Sequence, residues 1–172
     1  MLVQNKMFYR STVQHLRGLL DMLLEIPESF RGTPMIEIGS FIGESARIFS
    51  LFFSPVYSVD PLLPSRGVKN VRGIFTKTTL GRTILNIPKL SGEAVGEVPG
   101  EVSLVYIDGC HRYQAVVDDI RNYLPKIRKG GYIGGHDYGN KGEEIQVQKA
   151  VTEVLGNPDM TFMDNSWLKR VV

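Results

Sequence analysis

Short apolar runs alternate with longer amphipathic stretches along the whole chain. Residues 11–26, STVQHLRGLLDMLLEI, place Val13, Leu16, Leu20, Leu23 and Leu24 at helical spacing, with Ser11 as N-cap and Pro27 as the stop. PMIEIGS (34–40) reads as a short strand, and GESARIFSLFF (43–53) as a helix that turns Ile48, Phe49, Phe52 and Phe53 inward. VYSVD (56–60) is a second strand. Residues 65–82 have few apolar anchors and predict a loop followed by a surface helix; residues 83–90 predict a third strand, weakened by Pro88. A fourth strand spans 102–108. Residues 112–129 predict a helix with Val116, Ile120 and Leu124 on one face and, at Pro125, either a kink or the start of a short second turn. The fifth strand is 130–137, and a helix over 143–156 closes at Gly156. MTFM (160–163) and WLKRVV (167–172), joined by DNS, predict a terminal hairpin.

Strands that alternate with helices of this length form right-handed βαβ units. The expected fold is α/β, a doubly wound, mostly parallel seven-stranded sheet ending in an antiparallel hairpin. One domain is expected over 1–172, with a helical segment (1–30) before the sheet core (34–172). Ligands of such sheets sit at the carboxyl ends of the strands, near the point where strand order reverses. Glu37, Asp60, Asp108 and Asp137 all fall at or near those ends.

Composition narrows the function. Net charge is +2, from 20 basic and 18 acidic side chains, which gives no strong pull toward nucleic acid or anionic membrane. Cys110 is the only cysteine, so neither an internal disulfide nor a Cys-rich metal site can form, and a cytoplasmic protein is expected. No apolar run reaches the roughly 20 residues that cross a bilayer, and the start does not read as a signal peptide.

The loop EIGSFIGES (37–45) joins a strand to a helix through Gly39 and Gly43. Glycines there let a ligand approach the backbone, and the helix N-terminus offers free N–H donors. The dinucleotide fingerprint needs three glycines in G-x-G-x-x-G, so a pyrophosphate, and with it a nicotinamide cofactor, fits poorly. Asp60 ends the second strand 21 residues after Gly39, where a carboxylate can accept hydrogen bonds from both ribose hydroxyls. LVYIDGCHRY (104–113) and GYIGGHDYGN (131–140) each deliver an Asp and a His to a strand end.

These blocks, EIGSFIGES, YSVDP, SGEA, VYIDGCHRYQAVVDDI and KGGYIGGHDYG, resemble class I S-adenosylmethionine-dependent methyltransferases, and within them the small-molecule O-methyltransferase-like type with a DG-x-H-x-Y…GG…HDY pattern. The resemblance spans residues 36–139 and is most specific from Asp108 to Tyr138. It implies a Rossmann-like methyltransferase fold and S-adenosylmethionine as cofactor. Glu37, Gly39, Ser40 and Gly43 would lie along the methionine end, Asp60 would bind the ribose, and Asp108 would lie under the methionine moiety. Gly92 and Glu93 would flank the adenine, Glu93 near its amino group.

In metal-dependent members, the matching aspartates, here Asp108 and Asp137, also hold magnesium or another divalent cation. Catechol-type relatives place a third ligand, Asn or Asp, directly after the second Asp; this chain has Tyr138 there. The other reading of Asp137 is that it accepts backbone N–H bonds and shapes its loop. His111 stands three residues after Asp108, where catechol-type enzymes carry a lysine that deprotonates the acceptor. An imidazole suits that task at neutral pH, and the competing role is to pin the loop.

The implied activity is methyl transfer to a small-molecule acceptor, a hydroxyl oxygen, with Asp108 and His111 as catalytic residues. The alternative is a non-catalytic regulatory protein that keeps the cofactor fold. A nucleic-acid base methyltransferase fits less well, because no Asn/Asp-Pro-Pro-aromatic motif is present. His136 would order the rim and His15 only the first helix. Arg66, Lys69, Arg72, Lys77 and Arg82 would form a solvated face, and Asp118 and Asp119 surface positions. The first helix or the hairpin would be the surface on which two subunits pair.

Overall fold

The computed structural model describes residues 16–139 and 141–172. Among the described residues seven strands form one sheet: β1 (Met35–Ile38), β2 (Val56–Val59), β3 (Ile84–Ile87), β4 (Val102–Ile107), β5 (Ile127–Gly135), β6 (Met160–Thr161) and β7 (Trp167–Arg170). Their spatial order is β3-β2-β1-β4-β5-β7-β6. The first five run parallel, and β7 is antiparallel to both β5 and β6. The doubly wound sheet and the terminal hairpin are as the sequence predicts. Strand order reverses between β1 and β4, each buried along its whole length.

Strand residues alternate between the two faces, and each face is covered. Ile36, Ile38, Val105 and Ile107 pack with helices α4 (Ser91–Ala94), α5 (Tyr113–Tyr123) and α6 (Glu144–Leu155). Met35, Leu104, Tyr106 and Leu168 face the other way, onto α1 (residues 16–25) and α2 (Glu44–Phe49). A smaller cluster around Ile42, Leu62, Val71 and Phe75 seats α3 (Val71–Thr79). No helix among the described residues is long and apolar enough to cross a membrane.

Several elements differ from expectation. The first helix is seen from residue 16; Ser11, Val13 and His15 lie outside the described residues. Its core face is Leu19, Met22, Leu23 and Ile26, whereas Leu20 and Leu24 are exposed. A run this rich in leucine offers two overlapping apolar stripes, and the one that meets the sheet wins. The helix predicted over 112–129 ends at Tyr123. A 3₁₀ turn follows at Leu124–Lys126, with Pro125 unable to continue the α-helical ladder, and β5 begins at Ile127. SGEA forms the short α4.

Candidate active site

The carboxyl ends of β1, β2 and β4, with the β3–α4 turn, enclose a cleft of ≈ 860 Å³. That volume suits a cofactor-sized ligand. Leu16 and Leu19 of α1 close one side. The start of α1 is fixed from the β6–β7 turn: Asp164 Oδ2 accepts from the Leu19 N–H at 3.1 Å, and a Cβ at Gly18 would fall 1.9 Å from Asp164 Oδ1.

The glycine loop lets β1 and β4 approach closely. Gly39 has φ +89°, and its N–H donates to Val59 O at 2.9 Å. Gly43, at φ +81°, precedes α2, whose Ser45 hydroxyl donates to Glu37 Oε1. Glu37 is fully buried and its Oε2 has no hydrogen-bond partner. Burial, reinforced by the carboxylates of Asp108 and Asp60, pushes its carboxyl up from 4.5 to about 8 despite the Ser45 bond. Ser40 is buried and accepts from the Ser58 hydroxyl at 2.5 Å.

The raised Glu37 carboxyl makes a stability prediction. Between pH 4.5 and about 8 the unfolded chain releases this proton and the folded chain retains it. Stability from this group is fully present below pH 4.5 and falls as pH rises through that window, by at most about 1.4 kcal/mol per pH unit. Denaturant titrations at pH 5 and 7.5 are expected to show that Glu37→Gln loses less stability over this interval than wild type does. Equal slopes would refute a protonated Glu37.

Asp60 ends β2 with both carboxylate oxygens engaged. Oδ2 accepts from the Phe41 N–H at 2.8 Å and Oδ1 from the Leu62 N–H at 2.7 Å. A carboxylate offers about four lone-pair sites, so acceptor capacity toward the cleft remains. Phe41 (φ 46°), Arg66 (φ 49°) and Asp137 (φ 61°) line the cleft with left-handed backbone, an unfavourable conformation that concentrates at functional sites.

The two His-Asp pairs meet at the opposite rim. His111 Nε2 lies 3.0 Å from Asp137 Oδ2 and 3.5 Å from Asp108 Oδ1, yet it is buried without an aligned hydrogen bond. His136 Nδ1 lies 3.2 Å from Asp137 Oδ1. The Asp108 contact raises the His111 pKa above 6.5, helped by Asp137 and opposed by burial. Burial lowers that of His136, but the carboxylates of Asp137, Asp108 and Asp164 outweigh it and lift it to about 9. Asp137 in turn is held below 3.8, since the two imidazoles outweigh its burial.

Of the residues the sequence singles out, Gly39, Ser40, Asp60, Asp108, His111, His136 and Asp137 line the cleft. Glu37 and Gly43 sit behind the wall, touching the lining through Ser45 and through the loop. Gly92 and Glu93 are exposed and do not line it; the lining there is Lys89, Leu90 and Ser91. Glu93 Oε2 instead accepts from the Leu90 N–H at 3.3 Å. The basic residues of 66–82 are exposed as expected, with Arg66 alone reaching the cleft. Asp119 corrects the surface reading: it is buried and lines the cleft. Its place three residues after Val116 and one before Ile120, on the apolar face, was the available signal.

A model of a methyltransferase-domain family matches residues 36–138, more than half of the chain. The chain belongs to this methyltransferase family. An uncharacterized protein of Acanthamoeba polyphaga mimivirus is 28% identical over 130 residues, 71% of this chain and 59% of that protein. The chain thus spans about three-fifths of that relative. Two solved methyltransferase structures share the fold. The O-methyltransferase NovP superposes with a TM-score of 0.67 at 15% identity, covering 87% of this chain and 76% of NovP. A Clostridium thermocellum protein assigned as an rRNA-methylase also gives 0.67, at 14% identity, with 90% and 97% covered. The chain therefore carries a methyltransferase domain with a Rossmann-like fold, and its cleft lies where the strand order reverses.

Proposed function

We propose that the chain transfers the methyl group of S-adenosylmethionine to a hydroxyl oxygen of a small-molecule acceptor. The observation that carries this reading is convergence: the Gly39 turn, Asp60 and the Asp108–His111–Asp137 cluster open into one cleft of small-ligand size. Gly39 and Ser40 line the methionine end, with Glu37 and Gly43 supporting them from behind. Asp108 lies beneath the methionine, and Asp60 takes the ribose hydroxyls. The acceptor oxygen attacks the methyl carbon in line. A C–O bond forms, the C–S bond breaks with its electrons going to sulfur, and the hydroxyl proton passes to neutral His111. Alignment of the two reactants is the main catalytic contribution.

Magnesium does not suit this cluster. Asp108, His111 and Asp137 each bring a donor atom within 4.8 Å of the others, the span of a metal site. The third oxygen ligand is missing, because the Tyr138 hydroxyl lies 3.1 Å from Thr152 Oγ1 on α6. The third donor is an imidazole, which magnesium disfavours, and the carboxylates already face His111 and His136. No step is therefore assigned to a cation. Magnesium added to metal-stripped protein is expected to leave S-adenosylhomocysteine affinity unchanged in calorimetry; a tightening would restore the metal.

Asp60→Ala removes the ribose acceptor and frees the Phe41 and Leu62 amides. It is expected to weaken S-adenosylhomocysteine about tenfold to a hundredfold. Unchanged affinity would remove Asp60 from the ribose site. The reaction itself is tested with methyl-labelled cofactor against hydroxylated small molecules and against RNA. Label in a small molecule supports the reading. Label in RNA alone overturns the acceptor class, and tight cofactor binding with no transfer to either favours a regulatory protein.

A further inference from the structure

We infer that Arg66 selects the acceptor by binding an anionic group, a carboxylate or a phosphate, on the molecule whose hydroxyl is methylated. This deepens the acceptor reading above and rests on it. Among the described residues, Lys89 and Arg66 are the lysine and the arginine that line the cleft. Lys89 is taken: its ammonium donates to Glu97. Arg66 has no carboxylate paired with it among the described residues. Its own stretch cannot supply one, because between Asp60 and Glu93 the chain carries six basic side chains and no acidic one. Against a net charge of +2 for the whole chain, the β2–α3 side of the cleft mouth is therefore locally basic and draws anions toward it.

The guanidinium is also held in place. Ser65 and Val68 close a tight turn, with Val68 N–H donating to Ser65 O at 2.8 Å and Ser65 N–H to Val68 O at 3.2 Å. Arg66 (φ 49°) and Gly67 (φ 77°) fill its two central places. Two positive φ angles in succession suit Asn or Gly, so arginine is an unfavourable choice for the turn itself. The turn sets the guanidinium carbon 5.7 Å from the centre of the Phe41 ring. Phe41 is anchored in turn by its N–H bond to Asp60 Oδ2 at 2.8 Å. On the far wall the Asp108 contact chiefly raises His111, and burial opposes the imidazoles at Asp137; the Arg66 charge adds a small downward pull on both. Its field therefore crosses the space in which an acceptor meets His111. The competing anion is the methionine carboxylate of the cofactor. The Gly39 turn that receives that end lies against the backbone of Asp108 at the sheet, whereas Arg66 is exposed at the mouth. An acceptor entering over the cofactor meets Arg66 on one side and His111 on the other, and the fork of a guanidinium matches the paired oxygens of a carboxylate or phosphate. Leu16, Leu19 and Tyr106 line the same cleft and suit an apolar ring.

The test titrates S-adenosylhomocysteine-saturated protein by calorimetry at pH 7.5 with three matched phenols: 4-hydroxybenzoate, 4-hydroxyphenyl phosphate and the neutral 4-hydroxybenzyl alcohol. At least one anionic phenol is expected to bind about tenfold or more tighter than the alcohol, and which one does so separates a carboxylate from a phosphate source. Arg66→Met keeps an apolar stem over Phe41 and removes the charge. The preference should then fall to within about twofold, with S-adenosylhomocysteine affinity unchanged. Lys77→Met makes the same charge change on α3 outside the cleft and should preserve the preference. Wild type that favours neither anionic phenol up to about 10 mM overturns the inference and leaves the cofactor reading standing. A preference that falls equally in both variants makes it a property of the diffuse field and overturns the role of Arg66. A tenfold loss of S-adenosylhomocysteine affinity in Arg66→Met assigns the guanidinium to the cofactor carboxylate and also overturns it. A favoured phenol that takes no methyl label still supports the anion site and faults only the hydroxyl reading. Wild type that does not bind S-adenosylhomocysteine overturns both.

Discussion

Gly39→Ala is expected to abolish S-adenosylhomocysteine binding and to destabilise the fold by at least about 3 kcal/mol. A Cβ on Gly39 would lie 2.1 Å from the Asp108 carbonyl oxygen and 2.7 Å from Gly109 Cα. Both are backbone atoms, so no rotamer change relieves the overlap. β1 and β4 cannot part cheaply either, because the Asp108 N–H donates to Ile38 O at 2.8 Å, and Gly39 is held from its other side by its N–H bond to Val59 O on β2 at 2.9 Å. The φ of +89° adds strain of its own. Gly81→Ala is the control: Gly81 has φ +74°, and a Cβ there would meet nothing within 4 Å. It should cost only about 1–2 kcal/mol and leave binding intact. Denaturant titration and calorimetry on both variants separate close approach from backbone strain. A Gly39 variant no less stable than the Gly81 variant would refute the close approach as the reason for glycine.

His111→Ala is expected to lower kcat by about 10²–10⁴ while cofactor affinity stays within about threefold. The imidazole sits between Asp108 and Asp137, which favour its protonated form. It can accept a proton only when neutral. In wild type kcat/KM should therefore rise with pH through a pKa above 6.5, and this limb should vanish in the variant. A histidine that merely pins the loop would behave otherwise: thermal stability and cofactor affinity would fall together, and the pH limb would persist. Activity unaltered by the substitution would remove His111 as the base.

How much of this site could be read in advance depends on what each residue answers to. Gly39, Asp60, Asp108 and His111 stand where apolar runs end, and the carboxyl ends of parallel strands converge whatever the loops do. Their convergence was legible for that reason. The rotation of α1 was not, because its leucines offer two stripes and only the sheet chooses between them. The early start of β5 was hidden because Arg128 and Lys129 look like a helix end. Glu93 lies outside the cleft lining and Asp119 lies within it, the reverse of what their neighbours in sequence suggest. A four-residue helix turns Glu93 back to its own first amide, and a helical Asp among apolar neighbours passes for a surface residue until the partner turn is known. Side-chain direction at such short elements is decided by tertiary contacts, not by spacing.

Every role assigned to these residues depends on S-adenosylmethionine occupying this cleft, and a calorimetric titration of the wild-type chain with S-adenosylhomocysteine tests that most directly. One site per chain with a micromolar Kd is expected, lost in Gly39→Ala. No binding at millimolar ligand would contradict it and leave the fold without its cofactor.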